Sequence, residues 1–309
     1  MATHSVPGQG SESASEAPAA RLPVTRDLTA ITRDLTLIRL GSTLTAVLAV
    51  AVSVAGIIGR TSLYENEELL LLKVPTDLFT LIIAVPTLLV SIWLAQRGWL
   101  LGLLCWPAPL LYMLYIYLAN AIGVPFGALF LPYAAIAALS AYTLIGLVAC
   151  IDAEAVKRRL AGAVPARPTG AILVALSVLF SLMNLSYVIT ALTGETVGSP
   201  VELPVWLADF VVLAPAWIMG GLLLWRREAL GYVAGAGLLL VGCMLFLGAI
   251  FSLVYTALLT ATPLDLAGIF IMLIASLVCV VPFALFARGI LRSDRGALPE
   301  GHQDQEGPD

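Results

Sequence analysis

VPTDLFTLIIAVPTLLVSIWLAQRGWLLG, residues 74–102, returns in altered form as LPVWLADFVVLAPAWIMGGLLLWRREALG, residues 203–231. Pro75 matches Pro204, Pro86 matches Pro215, Arg97 matches Arg226 and Gly102 matches Gly231, every pair 129 positions apart. Chance agreement among leucines would not bring prolines, arginines and glycines into one spacing. The match continues upstream, where Gly41 pairs with Gly170, Leu44 with Leu173, Ala46 with Ala175 and Leu78 with Leu207 at the same separation. The sequence therefore reads as two similar halves joined without an insertion.

Composition places these halves in a membrane. Hydrophobic residues make up 60% of the chain and charged residues 12%, with a mean hydropathy of +0.98, so there is too little polar surface to coat a water-soluble domain. Apolar runs long enough to cross a hydrocarbon core of ~30 Å at ~1.5 Å per residue recur near 38–59, 78–94, 99–119, 128–150, 169–192, 205–225, 230–258 and 266–287. The runs are continuous and do not alternate, and a backbone without water to bond must close its hydrogen bonds within helices. The expected fold is all-α, a polytopic bundle of eight spans built as two parallel four-helix repeats, 38–151 and 169–288. With four spans each, both copies cross the bilayer in the same sense, and a pseudo-two-fold axis along the membrane normal relates them.

Charge sets the orientation. Placing the N-terminus inside puts 14 of the 16 basic residues on the inner side, leaving only Arg60 and Lys73 outside. The positive-inside rule then assigns both termini to the cytoplasm of a plasma-membrane protein. Residues 1–20 and 289–309 read as disordered tails. The duplication TRDLT at 25–29 and 32–36 gives residues 21–37 an amphipathic helix suited to the headgroup layer, and 152–168 reads as a basic, solvated or lipid-facing loop. Membrane lipids are thus expected partners, with a protein partner at the cytoplasmic face as a further expectation. Nothing indicates nucleic acid or a cofactor. Cys105, Cys150, Cys243 and Cys279 show no paired spacing and read as free core thiols.

Several chemistries are excluded. His4 and His302 are the only histidines and lie in the tails, so imidazole ligation or acid–base work at depth is not expected. With the second span placed at 78–94, no span holds a lysine, and a Schiff-base chromophore is excluded with it. No GxxxxGK[ST] phosphate loop is present.

The candidates that remain are few. Asp209 stands several residues into the sixth span and six before Pro215, where an ionisable group marks either a functional site or a carboxylate favoured by a helix start. Ser177, Ser181 and Asn184 share one face of the fifth span, as an interhelical hydrogen-bonding stripe or a solute path. Asp77 resembles Asp209 in placement but departs from the repeat spacing by three residues. Pro86 and Pro215 are candidate hinges. Tyr112, Tyr115, Asn120 and Tyr133 read as an outward pocket or as interface anchors. Two functions are compatible with this set: a small-solute transporter with its site between the repeats, or a non-catalytic scaffold or sensor subunit that binds a partner through its cytoplasmic segments. One isolated aspartate is a poor basis for an intramembrane enzyme.

Overall fold

A computed structural model describes residues 32, 35–60, 67–124, 127–193 and 203–296. Among the described residues there is no strand beyond an isolated antiparallel bridge between Thr32 and Ile151, and eight helices are long and apolar enough to cross a membrane. The chain is an all-α, multi-pass membrane protein. Its membrane helices are α1 (Thr36–Ile58), α2 (Glu67–Gln96), α3 (Leu100–Gly123), α4 (Phe130–Cys150), α6 (Ala166–Leu192), α7 (Leu203–Trp225), α8 (Ala229–Thr260) and α9 (Leu266–Gly296), with a short α5 (Ala153–Leu160) after α4. One end of the bundle carries Arg97, Arg226 and the basic α5; the other carries Glu67, Glu68 and Asp265.

Three boundaries differ from the sequence reading. Helix α2 begins at Glu67, eleven residues before the apolar run expected at 78, so Lys73 lies inside a membrane helix and not outside it. The exclusion of lysine from the spans fails with that boundary. Helix α9 runs through Gly296, well into the stretch expected to be a tail. The expected amphipathic helix at 21–37 lies mostly outside the described residues; regular helix starts at Thr36, and Thr32 pairs with Ile151.

Proline shapes α2 and α7. A proline inside a helix has no N–H to donate, and its ring crowds the carbonyl four residues back. In both helices the chain widens into a π turn just upstream, Thr80–Ala84 before Pro86 and Asp209–Leu213 before Pro215. The Val85 N–H then reaches five residues back to the Thr80 carbonyl, and the Ala214 N–H to the Asp209 carbonyl. Such turns redirect a helix without breaking its hydrogen-bond ladder. The two π turns are 129 residues apart, like the prolines.

The exits from these helices also agree. Gly98 and Arg227 both have positive φ, 76° and 60°. In each turn the positive-φ residue donates three residues back, to Ala95 or Leu224, and the next donates five back, to Leu94 or Leu223. This is the Schellman closure of a helix C-terminus.

Helix α3 forms the axis. In its most apolar stretch 83% of the residues are buried, against 22% in α6, so α3 lies within protein while α6 presents most of its surface to lipid. Trp106, Met113 and Tyr117 of α3 are fully enclosed. Helix α8 packs along α3; α2 crosses onto α8, and the first turns of α7 cross onto α3. Helix α6 closes against α7 through Gly170 and Gly221, where a Cβ on Gly221 would stand 2.9 Å from the Gly170 carbonyl oxygen. Gly231, Gly235 and Gly242 of α8 permit close packing: a Cβ on Gly242 would stand 2.7 Å from Cys279 Sγ and 3.2 Å from the Trp217 ring.

The basic loop is a docked element. Asp152 caps α5 by accepting from the Ala155 N–H at 3.0 Å, Val156 and Leu160 are fully buried, and Arg159 bonds Asp294 of α9 at 2.7 Å. Ser293 donates to the Arg159 carbonyl at 3.0 Å. The amphipathic spacing of Val156 and Leu160 carries this docking.

Candidate functional site

Two polar clusters meet α3. In the first, the Asn184 amide of α6 donates to Asp209 Oδ2 at 2.7 Å. The Tyr115 hydroxyl of α3 faces the Asp209 carboxylate. Ser177 donates to the Ala214 carbonyl at 3.0 Å, beside Pro215. Asn184, Asp209, Ser177 and Ser181 line a common void of only about 10 Å³, space for one water at most. The structure thus brings these four predicted residues together, but around a hydrogen-bonded junction too small for a solute.

Asp77 belongs to the second cluster. It is buried one helical turn after Lys73, whose ammonium it attracts, and Lys73 Nζ donates to Asn120 Oδ1 of α3 at 2.5 Å. Lys73 is 4% exposed and Asp77 3%; neither charge is in contact with bulk solvent, so each needs the other and its hydrogen-bond partners. Close by, the Tyr112 hydroxyl faces Thr80, and Tyr117 shares a 3.2 Å hydrogen bond with Ser53. Tyr112, Tyr115, Asn120 and Tyr133 are all buried, so they are not interface anchors.

The clusters share a geometry. Thr80 opens the π turn of α2 and Asp209 opens that of α7. A tyrosine of α3 faces each, Tyr112 toward Thr80 and Tyr115 toward Asp209. The equivalent of Asp209 in the sequence repeat is therefore Thr80, which explains why Asp77 missed the spacing by three residues. Both widened turns face the axial helix.

The larger spaces lie nearby. A cavity of about 360 Å³ runs between α2, α3, α7, α8 and α9, with Thr76, Phe79, Tyr112, Tyr115, Gly248 and Ser252 among its walls. A second, of about 400 Å³, shares Leu72, Ser252 and Leu253 with it and extends past Thr256 and Thr262 to Glu68 and Asp265. The two adjoin at these three residues, and we refer to them together as the crevice, with Glu68 and Asp265 at one end and Tyr112 and Tyr115 at the other. On the other side of α3 and α8, toward the basic end, a groove of about 290 Å³ between α3, α4, α7 and α8 has only apolar residues, such as Leu111, Leu144, Met219 and Leu238.

The sequence reading missed Lys73 and the crevice. A signal was present: Glu67, Glu68, Lys73 and Asp77 recur within a stretch of leucines at spacings that group Lys73 and Asp77 on one helical face. No group of His, Cys, Asp and Glu side chains able to hold a metal occurs among the described residues. Compared with protein-family models, curated proteins and solved structures, the chain matches none.

Proposed function

We propose that this protein is a small-solute transporter whose site is the crevice between two parallel four-helix repeats, with both termini on the cytoplasmic side of the plasma membrane. The observation that carries the reading is the crevice itself. Glu68 and Asp265 line its acidic end, Tyr112 and Tyr115 line its inner end, and α2, α3, α7, α8 and α9 supply its walls. Its floor is tied to two helices with built-in irregularities. A solute that displaced Tyr112 or Tyr115 would act directly on the π turns at Thr80 and Asp209, and so on the angle of α2 and α7 above the proline hinges. This is how a bound solute could shift a bistable helix pair, because contacts that differ between two states bias their populations.

Duplication is supported by local structure as well as by residue matches. The π turns, the prolines and the Schellman exits keep one spacing, and α2 crosses onto α8 as α7 crosses onto α3. A side-by-side copy with an axis along the membrane normal would relate both sets of contacts. In this frame Asn184 and Asp209 are the anchor beneath the site; the first contacts with solute are made by Thr76, Tyr112, Tyr115 and Ser252.

The test is flux in proteoliposomes over a panel of amines, amino acids and sugars. At least one solute should enter faster than into empty vesicles, and Gly248→Trp, which fills the crevice from α8, should reduce that rate at least tenfold while the protein remains monodisperse. A partner-binding subunit would instead show no flux for any solute, and would lose its partner on deletion of residues 21–36.

A further inference from the structure

The walls of the crevice select a class of solute. At its mouth stand Glu68 and Asp265, both exposed, with the hydroxyls of Thr256 and Thr262 beside them. Deeper, the polar groups are the hydroxyls of Thr76, Ser252, Tyr112 and Tyr115, and three rings, Phe79, Tyr112 and Tyr115, stand among aliphatic side chains. The Phe79 ring lies 5.8 Å from Tyr112 and 6.2 Å from Phe251, which stacks on Tyr255 at 6.3 Å. Of these rings, Phe79 and Tyr112 line the cavity together with Tyr115, and Phe251 and Tyr255 pack outside its lining.

Behind the rings the charge is again negative. Asp209 faces the Tyr115 hydroxyl, and Asp77 lies close enough to Tyr112 to act on its charge. Among the described residues lining or directly behind the crevice, the counterweight to these four carboxylates is Lys73, already engaged by Asn120 and Asp77. In a recess of low dielectric this imbalance attracts a cation along the whole depth. A small hydrated ion would find little to replace its water, since leucine, isoleucine, alanine and methionine make up much of the deeper wall. An organic cation would keep an apolar body against those residues and its charge over the ring faces, where the aromatic quadrupole is attractive.

We propose that the crevice binds an amphipathic organic cation, an alkyl- or aryl-ammonium compound with an apolar body. This inference rests on reading the crevice as the solute site.

The experiment is equilibrium dialysis of radiolabelled benzyltrimethylammonium, benzyl alcohol and benzenesulfonate against the purified full chain in neutral detergent. The cation should bind saturably and at least tenfold more tightly than the neutral or anionic compound. Phe79→Leu should weaken it about fivefold, the Glu68→Gln/Asp265→Asn pair should weaken it and flatten its salt dependence, and Gly248→Trp should abolish it. Thermal transitions of the variants establish that they fold. Equal or tighter binding of the sulfonate or the alcohol would overturn the proposal, as would cation binding unchanged by Gly248→Trp. Flux of anionic or neutral solutes blocked by Gly248→Trp would refute the cation inference and leave transport standing. Saturable, crevice-dependent cation binding without flux of any solute would support the inference and refute transport.

Discussion

A lysine ammonium enclosed by protein at the position of Lys73 persists because three groups share its cost: Asp77 by charge, Asn120 by a hydrogen bond, and the helix that presents Lys73 and Asp77 on one face. Lys73→Met removes only one member and strands a buried carboxylate. It should lower stability by about 3 kcal/mol, whereas Lys73→Met with Asp77→Leu should recover most of that loss; thermal unfolding in detergent distinguishes the two. Asp209 behaves differently, because two donors converge on it. Asp209→Ala leaves the Asn184 amide and the Tyr115 hydroxyl without their acceptor and should cost about 1–3 kcal/mol. Asp209→Asn keeps an acceptor in place and should fold normally while slowing flux. Asp209 was legible in the sequence because it interrupts an apolar run. Lys73 was not, because it follows two glutamates and precedes an aspartate, and hydropathy reads such a stretch as a loop. Only the packing of α2 on α3 shows that these charges are compensated within the bundle.

Helices α2 and α7 owe their form to proline, and the consequence is testable. Replacing Pro86 or Pro215 with alanine restores a donor and relieves the crowding that the π turn absorbs. Each variant should keep its helicity by circular dichroism and match or exceed the parent in thermal stability, yet transport more slowly, because the redirected helix would straighten. At the exits, Gly98 occupies the left-handed region freely, whereas Arg227 pays roughly 1 kcal/mol to be there. Arg227→Gly should therefore raise stability by up to ~1 kcal/mol and Gly98→Arg lower it by a similar amount, again by thermal unfolding. Pro86 and Pro215 were visible as kinks from sequence alone. That the chain would answer with π turns was not, since an internal proline is equally compatible with a simple kink. The docking of α5 was equally hidden, because its ion-pair partner, Asp294, lies 135 residues away.

The bundle as a whole was the most legible feature, since eight apolar runs follow directly from what lipid requires of a backbone. What no run of residues reveals is where packed helices fail to fill the space between them. The crevice arises because α2 and α7 cross onto the opposite central helix, and small residues of α8, Gly248 and Ala249, leave the wall recessed. The central claim is that this recess is a water-filled path from the acidic end to the tyrosines above the π turns. It is tested most directly by cysteine accessibility in proteoliposomes, in a chain whose four native cysteines are replaced. Ser252→Cys should react with a membrane-impermeant thiol reagent from the face bearing Asp265, as Thr262→Cys does at the mouth, and Gly248→Trp should protect the first without affecting the second. Reaction at Thr262→Cys with none at Ser252→Cys from either face would contradict the account.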